Sequence, residues 1–444
     1  MTTWPLSWGD IANELSRADP AVLDPSARAS LMRLRQHVAD ETRTRERTVH
    51  VRAAIAPQRH TLRSFEATPR EDAELEAGVR WTGQRFSYHL QATYAMDPDD
   101  GEEWRADGSY LGVAVANWML AAGLMDRWWG PAWESSLILS TSARPVPAIS
   151  MNRNLSNPVQ VPGFRWVGSW TTSFMMGQLE HDRDVPDALL FGARFAFRPV
   201  PSLEIGLSRT AQWCGEDRPC DLQTFGNLLL GRDNRTSGLP EDEEPGNQLA
   251  GADLRWTGGP HGRHYAVYGQ MIGEDEAGGT PSKYVGRFGA EYWGYANFLG
   301  GSYRLYAEAA DTAADFLGAS QFNVTYEHGI YTDGYRYRGR AIGDSMDNDG
   351  LGFSLGGLLL RDGARQWSAR LQYVELNRDD KQKADSVHTI SQTAADLWNI
   401  EVGHRRVLGP GALSAALGFE RLEQQGTGAV DNDVTFYAQY FLGM

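Results

Sequence analysis

The stretch Asp333–Gly350, DGYRYRGRAIGDSMDNDG, concentrates three arginines, two tyrosines and four aspartates in eighteen residues. In extended form it alternates, with Tyr335, Tyr337 and Gly339 on one face and Arg336, Arg338 and Arg340 on the other. Guanidinium forks bind carboxylates through paired hydrogen bonds, and tyrosine rings stack on the C–H faces of sugars. Tyr331, just upstream, and Asp333, at its start, join the same candidate surface. An internal role is equally open, in which the arginines neutralise Asp344, Asp347 and Asp349 and fasten the segment into a polar interior. The same aspartates with Asn348 gather oxygens as calcium requires, but DSMDNDG lacks the one-three-five spacing and distal Glu of an EF-hand. Calcium is the weaker reading.

A second run, Asp126–Glu134 (DRWWGPAWE), sets Trp128, Trp129 and Trp133 beside charges and a Gly-Pro turn. These indoles suit a sugar-stacking platform, or else an aromatic boundary layer or a packed inner loop. The two cysteines, Cys214 and Cys220, stand six apart with Gly and Pro between them, which suits a small disulfide-closed loop in an oxidising compartment. A zinc site would be short of ligands, since no His lies nearby. Catalytic signatures are thin. Glu102–Glu103 and Glu243–Glu244 sit in solvated acidic loops with nothing to raise a pKa, and no GxSxG, HExxH or phosphate-binding glycine loop occurs. We expect a protein that is not an enzyme and carries no metal or cofactor. A net charge of -15 argues against nucleic acid as a partner.

The elements that must position these residues follow from periodicity. Residues 7–38 carry two helix starts, at Ser7/Asp10 and at Asp24-Pro25-Ser26, with Leu31, Leu34 and Val38 on one face of the second helix. The N-terminus lacks the basic start and apolar core of a signal peptide, as expected of the mature form of an exported chain. From Thr48 the period becomes two, and about nineteen strand candidates follow, including a weak one at Arg59–Phe65 and another at Phe322–Glu327. The longest apolar run, Tyr110–Met125, reads as two strands around a tight turn rather than a membrane helix. Short turns alternate with long acidic loops, the layout of an outer-membrane barrel. Closure requires an even number of strands, so about eighteen are expected. Loop parity fails around Met119–Gln178 and Ala310–Gly350, where the errors should lie.

Three motifs, DRWWGPAWESSLILSTSARPVPAISMNR (126–153), WCGEDRPCDLQTFGNLLLGRDN (213–234) and YEHGIYTDGYRYRGRAIGDSMDNDG (326–350), resemble the Wzi capsule-assembly family of Gram-negative outer membranes. The resemblance covers nearly the whole chain. It implies an all-β membrane protein: an antiparallel barrel of about eighteen strands over 46–444 with long extracellular loops, and a helical plug of residues 1–45 at the periplasmic mouth. It also implies a monomeric, lectin-like function, anchoring capsular or extracellular polysaccharide at the cell surface. Where that family's Gly-Arg-x-Ile-Gly run continues with His, this chain has Asp344. Since capsular glycans are commonly uronate-rich, the glycan-binding candidates are Trp128, Trp129, Trp133, Tyr331, Asp333, Tyr335, Arg336, Tyr337, Arg338 and Arg340. The competing expectation is a porin-like channel for small solutes, because a barrel this wide has room for water.

Overall fold

The computed structural model describes every residue except 24, 45, 230–245, 260–262, 278–279, 362, 383–386 and 444. Asp24, Glu243 and Glu244 therefore lie outside the described residues.

Eighteen antiparallel strands form one closed wall, from Arg47–Gln58 to Phe436–Gly443. The last strand pairs with the first, His50 opposite Gly443 through Ile55 opposite Ala438, so the sheet has no edge. Hydrocarbon enforces this, because an orphan backbone group in lipid costs on the order of several kcal/mol. The period of two sets the faces. In Ala395–Leu408, Trp398, Ile400 and Val402 point outward, while Leu397, Asn399 and Glu401 are buried toward the lumen. The apolar run at Tyr110–Met125 is the hairpin Tyr110–Val115 and Trp118–Gly123.

Two candidates are not strands and one strand was missed. Phe322–Glu327 contains Asn323 and Tyr326 with φ of 54° and 63°, a left-handed backbone no strand tolerates. Arg59–Phe65 belongs to an inward loop. The missed strand is Ala148–Arg153, whose outward face offers only Ile149 and Met151 before the pattern stops. Both regions of failed parity thus held an error.

Connections at one end are tight, as at 116–117, 201–202 and 409–410, while those at the other include 59–72, 124–147, 179–188 and 312–350. One exception, 154–168, lies at the tight-turn end and receives helix α1 (Trp8–Arg17). Ser7 caps α1 and also donates to Asn154 (2.5 Å), and Asp10 accepts from the Ser156 amide (2.7 Å). Ahead of α1 the chain threads into the lumen. Thr3–Trp4 pairs with Trp128–Trp129, and the Thr2 amide donates to Glu204 (2.5 Å) of the wall. Helix α2 (Pro25–Glu41) buries Leu31 and Val38 but leaves Leu34 exposed, so the expected three-residue stripe is narrower than its spacing implied.

Candidate functional site

The inner loops 124–147 and 312–350 fill much of the lumen by packing on each other. Leu137, Ile138, Tyr326, Tyr331, Tyr335, Tyr337 and Ile342 share one buried apolar cluster. Each tyrosine hydroxyl in its centre finds a carbonyl: Tyr326 donates to Leu137 (2.7 Å), Tyr335 to Ile138 (2.9 Å) and Tyr331 to Cys214 (3.0 Å). A buried phenol needs such a partner. Tyr331, Tyr335 and Tyr337 are therefore core residues of a loop assembly, closed to a polymer arriving from outside.

Arg336 shares that fate. Its guanidinium donates to Asp347 (2.8 and 2.9 Å) and Glu327 (2.7 Å), all buried. The Arg336 pair holds the Asp347 carboxyl well below the ordinary range, against the opposing effect of burial. Arg336–Tyr337 and Arg340–Ala341 form a two-residue hairpin, with Arg338 and Gly339 at φ of 51° and 73° in its turn. Positive φ at both turn residues favours Gly at the second. The turn interrupts the alternation, so Arg338 and Arg340 escape the core while Arg336 does not. Asp333 is partly exposed and accepts from the Asp184 amide (2.7 Å).

Asp344 is fully buried and accepts from Arg287 of the wall (2.7 and 3.0 Å), so the position that departs from the family run holds a loop to the barrel. Asp349 accepts from the Asn323 amide (2.8 Å). Among the described residues no three His, Cys, Asp or Glu side chains are grouped to hold a metal ion. Cys214 and Cys220 are joined by a disulfide, with Cα atoms 4.6 Å apart. Glu102 is taken up by Arg144 (2.8 Å) and Arg338 (2.5 Å).

The tryptophans face inward too. Trp128 and Trp129 are buried, and Trp128 meets Phe65 edge-on at 5.2 Å. Trp133 is half-buried, stacks on Tyr306 (5.8 Å) and donates to Glu291 (3.1 Å). Trp128 and Trp133 line a cavity of about 810 Å³ within the barrel, with Trp4 of the threaded N-terminus.

A second cavity, about 770 Å³, lies at the long-loop end. Its wall holds seven arginines, among them Arg338 and Arg340, and eight aspartates or glutamates. Arg63, Glu66, Thr68, Arg70 and Tyr437 border both cavities, so the loop 59–72 stands between them. Sequence reasoning missed Arg63, which falls in the weak strand candidate Arg59–Phe65, and Arg70, which lies beyond its end. The density of cations in RHTLRSFEATPR (59–70) was the available signal.

An edgeless antiparallel barrel, apolar outside, with its polar interior filled by its own loops, defines an occluded outer-membrane barrel protein. The profile of capsule assembly protein Wzi matches residues 42–433, and the chain belongs to that family. It is 34% identical over 384 residues to a Klebsiella pneumoniae protein described as an uncharacterized 55.8 kDa protein in the cps region, covering 86% of this chain and 73% of that one. It also resembles a solved Escherichia coli Wzi structure, described as an outer-membrane protein involved in group 1 capsule assembly and a carbohydrate-binding β-barrel. That likeness has a TM-score of 0.84 and 28% identity, over 100% of this chain and 93% of the other.

Proposed function

We propose that this outer-membrane protein binds an acidic capsular or extracellular polysaccharide at the long-loop end of its barrel and holds it at the cell surface during capsule assembly. The observation that carries the proposal is the arginine-rich cavity at that end, above a lumen filled by folded loops. A polymer can dock there but has no evident way through. Membership of the Wzi family and the carbohydrate binding described for the E. coli relative support the same role. In this reading the protein acts as a single chain without catalysis, and residues 1–45 plug the periplasmic mouth.

Of the candidates from sequence, Arg338 and Arg340 are partly exposed and line the outer cavity, and the half-buried Trp133 lines the inner one. Replacing both Arg338 and Arg340 by Ala should lower the cell-associated fraction of polysaccharide and raise the released fraction, with total export unchanged. Retention equal to wild type would remove these two residues from the site. The channel alternative has one observation in its favour, the two cavities placed in series, and is taken up at the scale of the whole barrel below.

A further inference from the structure

The seven arginines of the outer cavity are not equivalent. Arg59 meets Glu71 (2.6 Å) and Asp99 (3.1 Å), Arg144 meets Asp100 (2.6 Å) and Asp107 (2.8 Å), and Arg370 meets Glu134 (3.4 Å). Arg63 and Arg70 have a different environment. Arg63 donates to the carbonyls of Thr141 (3.2 Å), Pro69 (3.2 Å) and Thr68 (3.1 Å), and makes no ion pair among the described residues. Arg70 donates to the carbonyls of Ser142 (3.1 Å), Thr141 (3.0 Å) and Ala143 (3.1 Å), and its nearest carboxylate is the exposed Asp126 at 3.8 Å. The two guanidinium groups share the Thr141 carbonyl, so two positive charges lie side by side on neutral acceptors. Arg340 stands close by, held loosely by the Thr61 carbonyl (3.4 Å) and by Asp99 (3.7 Å), an acid that Arg59 already engages.

Such clustering opposes itself. Burial lowers the Arg63 pKa well below its ordinary value and neighbouring Arg70 and Arg340 lower it further, outweighing the opposite pull of Glu74 and Asp126. Partial burial likewise lowers that of Arg340, with Arg59 and Arg70 adding to the effect against Asp99 and Glu71. An anion placed among the three would relieve the repulsion.

We infer that Arg63, Arg70 and Arg340 form a carboxylate-binding site in the outer cavity, which takes the acid group of a uronic-acid-type sugar. This deepens the proposed polysaccharide reading and rests on it. A carboxylate fits better than a phosphate for two reasons. Arg63 and Arg70 each have three of five N–H donors engaged by carbonyls, so the remaining donors match a two-oxygen acceptor. The eight carboxylates in the cavity wall also repel a phosphate dianion more than a monoanion.

The test is calorimetric titration of the full-length protein in detergent with a short oligogalacturonate, its uncharged methyl ester, and inorganic phosphate as competitor. Wild type should bind the acid at least about tenfold more tightly than the ester, as charge-assisted hydrogen bonds imply. Arg70→Gln and Arg340→Gln should each lose about tenfold on the acid and little on the ester. Asp126→Asn, which removes the exposed acid facing Arg70, should bind the acid more tightly by a few fold, a gain that misfolding cannot mimic. Arg43→Gln, on the exposed end of the N-terminal region, should match wild type. Heat-modifiable gel mobility checks that each barrel is folded. Equal affinity for acid and ester in wild type overturns the carboxylate site yet leaves polysaccharide binding standing. Displacement of the oligogalacturonate by inorganic phosphate at concentrations comparable to the sugar's own overturns the carboxylate assignment. Binding of neither sugar overturns the site, and retention of polysaccharide by intact cells then decides separately on the broader reading.

Discussion

Arg336 and Arg338 are two residues apart and differ in what their removal should do. Arg336→Ala leaves Asp347 and Glu327 buried without their cation, which costs about 3–5 kcal/mol. Limited proteolysis of intact cells should then cut within 312–350. Arg338→Ala breaks a half-exposed pair with Glu102, worth about 0–1 kcal/mol, and the loop should resist protease as in wild type. Equal susceptibility of the two variants would contradict this division of roles. Asp349 gives a pH-dependent prediction. Burial, with Asp379 and Glu327 nearby, raises its pKa to about 7, although the Asn323 amide donates to it and Arg378 lies close. The folded loop therefore keeps this proton up to about pH 7, while the unfolded chain releases it near the ordinary pKa of 3.8. Loop stability should fall across that window by at most about 1.4 kcal/mol per pH unit and level off above it. Hydrogen exchange of the 321–327 amides should accelerate as pH rises, beyond the intrinsic rate, and Asp349→Asn should abolish that extra dependence.

At the scale of elements, the disulfide loop is a separable unit. It joins the end of strand Leu203–Trp213 to the helix Leu222–Leu229, where Trp213 and Phe225 lie 4.8 Å apart. Closing so short a loop contributes about 2 kcal/mol. The Cys214→Ser/Cys220→Ser double variant should therefore show faster exchange in that helix while the barrel keeps its heat-modifiable mobility; loss of the barrel would mean that the bridge does more than tether a loop. The wall was legible in the sequence because lipid demands alternation over long stretches, as in Ala395–Leu408. The inner loops were not. Their burial comes from packing in a lumen, which leaves no period, so Tyr335 and Arg336 look like a two-faced binding strand though both faces are covered. Ala148–Arg153 was hidden for the same reason, since it follows directly on the apolar residues of an inner loop. Arg63 and Arg70 became a candidate site only when the fold brought the carbonyls of 141–143 against them.

At the scale of the whole molecule, the question is whether the barrel conducts. Eighteen strands enclose a lumen wide enough for water if nothing fills it. Here the obstacles act in series: the outer cavity ends on loop 59–72, and the inner cavity has Trp4 of the threaded N-terminal segment in its wall. The loop is fixed to the carbonyls of 141–143 by four hydrogen bonds from Arg63 and Arg70, and the N-terminal segment by pairing with Trp128–Trp129 and by the Thr2–Glu204 bond. Opening either one requires breaking several hydrogen bonds at once, so spontaneous gating should be rare. In planar bilayers the wild-type protein should show no steady conductance. Removing residues 1–17 alone leaves the loop in place, and replacing 62–69 by a flexible linker of equal length leaves the N-terminal segment. Only the combination should give any open level, and that level should be narrow because loops 124–147 and 312–350 still fill much of the lumen. Steady conductance from the wild-type barrel would support the channel alternative and remove the premise that polymer stops at the outer cavity. Conductance from one single variant would show that the other obstacle is not a seal.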